Sequence, residues 1–66
     1  MNVIVRKVSK KDKYRQHTVG LTGNLIGGSF VGGGEYQDAV IVFPLNDGKK
    51  QIEKPIRFNR VKVEEV

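Results

Sequence analysis

Apolar residues along the chain fall in short, mostly β-branched runs, and no window repeats them at helical spacing with capping residues. The first run holds Val3, Val5 and Val8, and the last alternates Val61 and Val63 with charged residues. Alternation of this kind is typical of half-exposed strands. The pattern predicts an all-β chain of five short strands, at about residues 2–8, 18–26, 39–43, 51–58 and 61–65.

Turn-forming residues separate the later strands. Asn46-Asp47-Gly48 tolerates the positive φ angles of a tight turn and predicts a hairpin. Asn59 and Arg60 leave room for one further tight turn before the last strand. Because proline lacks an N–H donor, Pro44 ends the third strand or marks an edge, and Pro55 places the fourth strand at an edge or a bulge.

The segment from Gly27 to Gly34 holds five glycines in eight residues. Its composition fits a mobile loop, or a loose hairpin with Phe30 and Val31 near its tip. A Walker phosphate loop ends in Lys-Ser or Lys-Thr before a helix, so this segment is not predicted to bind a nucleotide. If it orders on a partner, it presents Phe30 and Tyr36. The alternative is a loop without a binding role.

The segments Thr18–Ile26, Ala39–Phe43 and Arg57–Val66 resemble parts of SH3-like small barrels. The first is similar to the Gly-x-x-Gly-x-Ile segment of KOW and Tudor-like barrels. The other two are similar to the second half of the ferredoxin-docking barrel subunit of photosystem I. The resemblance implies a single five-stranded SH3-like barrel over residues 1–66. It also implies that the last strand pairs with the first, with Val61–Val63 beside Val3–Val5.

Composition narrows the chemistry. The chain has 66 residues, no Cys and one His, so we predict neither disulfides nor a thiolate nucleophile nor a zinc site. His17 lacks a recognisable catalytic partner and is interpreted as a surface residue of a basic patch. We expect no enzymatic activity and no cofactor. The chain also lacks a signal-peptide pattern and an apolar run long enough for membrane insertion, which favours a cytoplasmic location.

Charge is distributed unevenly along the chain. The net charge is +5, from 12 Lys and Arg against 7 Asp and Glu. Residues 6–15 hold six cations, residues 16–48 hold none, and residues 49–62 hold the other six. If the two chain ends are neighbours, these clusters merge into one basic face. The predicted contact residues on this face are Lys10, Lys11, Lys13, Arg15, Lys49, Lys50 and Arg57.

A basic face attracts polyanions, and two functions fit it. The favoured hypothesis is a binding module that contacts the nucleic-acid backbone, of DNA or RNA, without sequence specificity. The alternative is a small accessory subunit that docks on an acidic protein in a larger complex. Aromatic residues are only 8% of the chain, which disfavours extensive base stacking. The plainest interpretation is that the lysines keep a small β protein solvated and unpaired at its edges.

Overall fold

The computed structural model describes the backbone of residues 1–66 and every side chain except that of Asp47. The chain is all-β, with one 3₁₀ segment at Lys10–Thr18. Four antiparallel strands form a closed ring in the order β1-β2-β3-β4. Among the described residues, no helix has the length and apolar character that crossing a membrane requires. The strands are β1 (Asn2–Val8), β2 (Thr22–Gly32), β3 (Glu35–Asp47) and β4 (Lys50–Glu65).

The ring has four strands, so the prediction of five is wrong. The predicted turn at Asn59 and Arg60 lies inside β4, where Arg60 pairs with Gln37 of β3. One long strand can replace two because β4 pairs with β3 along most of its length and also with β1 at its C-terminal end. The predicted pairing of the last strand with the first is confirmed, but the expected register of Val61–Val63 beside Val3–Val5 holds only at Val63, because Val3 lies opposite Glu65. Val63 lies opposite Val5, and Val61 lies opposite Val8.

The 3₁₀ segment occupies residues between the first two predicted strands and the first residue of the second one. As a result β2 begins at Thr22, later than predicted. The Ser9 hydroxyl caps the segment by accepting a hydrogen bond from the Lys11 N–H at 3.2 Å. Asp12 leaves the helical region, with φ −103° and ψ 47°, so the segment is kinked there. Ser9 and Asp12 have the spacing of a capping box, but the Asp12 carboxylate accepts hydrogen bonds from β4 and none from the Ser9 N–H.

The core lies inside the ring and follows the two-residue period of the strands. The run from Ala39 to Phe43 shows this directly, because alternate residues are fully buried while Val40 and Val42 remain half-buried on the other face. Phe43 meets Phe58 edge to face, with ring centroids 6.3 Å apart. The buried apolar residues are Val3, Val5, Val8, Ala39, Ile41, Phe43, Phe58, Val61 and Val63.

The glycine-rich segment forms a β-hairpin, not a loop. β2 extends to Gly32, and only Gly33 and Gly34 turn before β3 begins. Of the two predicted alternatives, the loose hairpin is therefore confirmed. Phe30 and Tyr36, predicted as partner-binding loop residues, instead lie opposite each other on β2 and β3, with ring centroids 5.3 Å apart. Glycine has no side chain to pack, but its backbone can still pair with a neighbouring strand, as Gly27 does with Val40.

The β3–β4 hairpin extends beyond the ring. The predicted hairpin is confirmed, with Gly48 at φ +63°. Its two turn residues are Gly48 and Lys49, because Asn46 of the predicted turn instead pairs with Gln51 in the ladder. Pro44 pairs with Glu53, and Pro55 pairs with Val42. No other strand is registered against Pro44 or Pro55, so each proline lies where its strand has one open edge. The predicted edge positions of both prolines are confirmed.

A buried carboxylate joins the 3₁₀ segment to β4. Asp12 is 4% exposed. Its Oδ2 accepts hydrogen bonds from the Asn59 N–H at 2.9 Å and from the Arg60 N–H at 3.4 Å. Its Oδ1 accepts one from the Asn59 side-chain amide at 2.9 Å. A buried charge is tolerated only when its polar atoms have partners, and both carboxylate oxygens are satisfied here.

Replacing Asp12 by asparagine should lower the free energy of unfolding by about 1–3 kcal/mol. The amide has one acceptor oxygen in place of two and carries no charge, so the hydrogen bonds that Asn59 and Arg60 donate to the carboxylate are lost or weakened. Urea titration measures the loss. Glu65→Gln makes the same charge change on an exposed side chain and should stay within about 0.5 kcal/mol of the wild type. Equal losses in the two variants would contradict this account.

A second prediction concerns the close approach of β2 to the core. A Cβ at Gly23 would lie 2.6 Å from the Ile41 Cγ2 and 2.9 Å from the Val42 oxygen, whereas one at Gly27 would lie 3.9 Å from Val40. Gly23→Ala should therefore lower the melting temperature, with a cost of about 1–3 kcal/mol. Gly27→Ala, on the same strand, should be neutral or slightly stabilising. The interpretation fails if thermal unfolding ranks the two variants the other way.

Candidate functional site

An open cleft lies between the 3₁₀ segment and the β3–β4 pair. It consists of two adjoining hollows of about 460 and 630 Å³. Arg15, Val40 and Arg57 line both of them and mark their junction. We call the two hollows together the basic cleft. Arg57 and Val40 are cross-strand partners, so the sheet fixes one side of the junction.

The first hollow is the more polar one. Asp12 accepts hydrogen bonds from β4, which holds the 3₁₀ segment against that strand. Lys11 and Arg15 of the same segment line the hollow. Asp38 also lines this hollow, on β3, and has φ 53° at a point where the register of β3 with β2 shifts while its register with β4 continues. The residues lining this hollow are Lys11, Asp12, Arg15, Asp38, Val40, Arg57, Phe58 and Asn59.

The second hollow combines apolar surface with cations. Val40, Pro55 and Ile56 supply apolar surface from the two strands. Tyr14 stands at this hollow with 79% of its surface exposed, and the Lys13 ammonium lies 5.5 Å from its ring centroid. The residues lining this hollow are Tyr14, Arg15, His17, Val40, Lys54, Pro55, Ile56 and Arg57.

The electrostatics of the cleft favour anions. Four cations and two carboxylates line it, and the Asp12 carboxylate already accepts three hydrogen bonds from the protein. Among the side chains that the structure describes, the one ion pair joins Arg6 to Glu64 at 2.7 Å, outside the cleft. The Nε of Arg15 is buried and has no hydrogen-bond partner within the described chain. The cleft cations are Lys11, Arg15, Lys54 and Arg57.

The structure brings together only part of the predicted basic face. Lys11, Arg15 and Arg57 meet in the cleft although they come from the two separate charge clusters. Lys10 and Lys13 are exposed on the same 3₁₀ segment but line neither hollow. Lys49 and Lys50 lie at the tip of the β3–β4 hairpin. At about 3.3 Å per residue, Lys50 is about 23 Å along β4 from Arg57.

Sequence reasoning missed two residues of the cleft. Tyr14 lies between Lys13 and Arg15, which the sequence predicted as contact residues. That position was the signal that could have identified it. Lys54 lines the second hollow. Its place there could not be predicted without the pairing of β4 with β3. His17 belongs to the basic surface, as its interpretation from the sequence states.

The two predicted partner-contact aromatics lie elsewhere. Phe30 is 63% exposed on the β2–β3 hairpin, while Tyr36 packs partly against the core. Neither residue lines the basic cleft. Metal ligation also has no support in the described part of the chain, where no group of three or more His, Asp or Glu residues is placed to hold an ion.

No protein-family model matches this chain, and no curated protein or solved structure matches it. Function is therefore argued from the geometry and charge of the cleft.

Proposed function

We propose that this protein is a non-enzymatic binding module that holds the phosphate backbone of a nucleic acid in the basic cleft, without sequence specificity. The observation that supports the proposal is the convergence of four cations in one cleft without an ion pair to any described acidic side chain. Like charges that lie close together repel one another, and a bound polyanion would offset that repulsion. A phosphate backbone supplies negative charge at regular spacing along such a cleft.

The kinds of cation present suit phosphate oxygens. Arg15 and Arg57 lie at the junction of the two hollows, and a guanidinium donates two parallel hydrogen bonds to one phosphate group. Lys11 and Lys54 lie in different hollows and add charge on each side of that junction. Contacts to phosphates carry no information about the base sequence, so the proposed binding is non-specific.

We further propose that the ring of strands is an SH3-like small barrel in which β4 takes the place of two strands. The pairing of β1 with β4 supports this relation. So does the division of β4 into a part paired with β3 alone and a part near Val61 paired with both neighbours. We place the protein in the cytoplasm, in contact with DNA or RNA.

The test compares two triple variants with equal net charge. Lys11→Gln, Arg15→Gln and Arg57→Gln together remove three cleft cations. Lys7→Gln, Lys49→Gln and Lys62→Gln together remove three exposed cations that line neither hollow. With four phosphates neutralised, log K for duplex DNA should fall with log salt with a slope of about −3.6, and the cleft variant should reduce it to about −0.9. Fluorescence anisotropy with labelled DNA over a salt series measures both.

The control variant should keep a slope close to that of the wild type. Equal losses in the two variants would show diffuse attraction and would overturn the cleft as the site. If the wild type binds neither duplex nor single strands at low salt, the nucleic-acid proposal is wrong. The basic cleft would then serve the alternative function, docking on an acidic protein.

A further inference from the structure

We infer that the basic cleft is built for single-stranded nucleic acid, with a phosphate between Arg15 and Arg57 and the adjoining base stacked on Tyr14. This inference rests on the proposed function and narrows it from any nucleic-acid backbone to a single strand. The low aromatic content predicted little base stacking. The inference differs from that expectation because a single tyrosine in the cleft can stack one base.

The two hollows match the two chemical halves of a nucleotide. The first is polar, lined by Lys11 and Asn59 and also by the two carboxylates of the cleft, so the phosphate is placed at the junction and not deeper in this hollow. The second offers apolar surface from Pro55 and Ile56. Arg15 and Arg57 stand between them, where a nucleotide joins its charged phosphate to its flat, largely apolar base. A surface for phosphates alone would not need the apolar surface of the second hollow.

Tyr14 has the features of a stacking platform. The residue is 79% exposed, although exposure of a large aromatic surface to water is unfavourable. The neighbouring Lys13 ammonium lies 5.5 Å from the ring centroid, close enough to attract the negative face of the ring. Bases stack on such rings whatever their sequence, because every base has a π face. Stacking therefore agrees with non-specific binding.

Single and double strands use the cleft differently. In a duplex the bases are paired and stacked on one another, so their faces are not free to lie on a side chain. In a single strand the bases are free to leave the stack and lie on an aromatic side chain. Arg15 and Arg57 therefore contribute to binding of both forms, whereas Tyr14 contributes to single strands alone.

The experiment titrates the full chain with labelled oligothymidylate and with a duplex of the same length. Tyr14→Leu keeps an apolar side chain but removes the ring, and should weaken single-strand binding about tenfold with little effect on the duplex. Phe30→Leu makes the matching change on the other exposed aromatic, 63% exposed on the β2–β3 hairpin, and should change neither affinity.

A spectroscopic readout separates stacking from a structural effect. The chain has no Trp and two Tyr, so the conservative variant Tyr36→Phe leaves Tyr14 as the sole tyrosine. Its fluorescence should be quenched by oligothymidylate and not by the duplex. Absence of quenching on single-strand binding would overturn the inference.

The remaining outcomes separate this inference from the proposed function. If Tyr14→Leu weakens neither form, or weakens both equally, the single-strand inference is wrong. The proposed function then still holds provided that the triple cleft variant loses binding. If the wild type binds neither form, both proposals are overturned.

Discussion

The Asp12 carboxylate holds the 3₁₀ segment against β4, and the rest of the cleft depends on this contact. The two partners are 47 residues apart in sequence. Both backbone N–H donors come from adjacent β4 residues, Asn59 and Arg60, so the carboxylate fixes position along the strand as well as distance. Because its oxygens accept hydrogen bonds from these donors, the Asp12 carboxylate is buried against β4. The neighbouring Lys11 and Arg15 consequently remain without an acidic partner on their own segment.

Ring closure explains how so short a chain can fold with neither a disulfide nor, in its described part, a metal-binding cluster. β4 serves two neighbours, and this continuity removes one connecting turn that a five-strand arrangement would need. Both hairpins extend past the closed part, where strand edges are open to pairing with other chains. Pro44 and Pro55 lie on such edges, and exposed lysines at the hairpin tip add charge. Both features oppose edge-to-edge aggregation.

The sequence predicted elements that depend on local pattern. The bounds of β1, the strand through Ala39 to Phe43 and the turn at Gly48 follow from β-branched alternation and turn chemistry. It did not predict Asp12 as a buried group, because an acid among five neighbouring cations has the local pattern of a solvated surface. Its burial depends on a contact with Asn59, and no local pattern encodes a contact over that separation.

The same distinction applies to the cleft. Charge segregation along the chain was visible in the sequence, and it correctly indicated that cations from both ends meet. Which cations meet depends on register, and the register of β4 places Arg57 opposite Val40, beside Arg15, while Lys50 lies at the far tip.

Composition likewise gives the number of aromatic residues but not where they lie in the fold. Three of the five aromatic residues, Phe43, Phe58 and Tyr36, serve the core, which leaves Phe30 and Tyr14 exposed. Of these two exposed aromatics, only Tyr14 lines the basic cleft, beside Arg15, Lys54 and Arg57. A low aromatic content therefore limits how many bases such a protein can stack, but it does not decide whether one is stacked. That depends on Asp12, because the segment that it anchors to β4 is the segment that carries Tyr14 and Arg15 to the cleft.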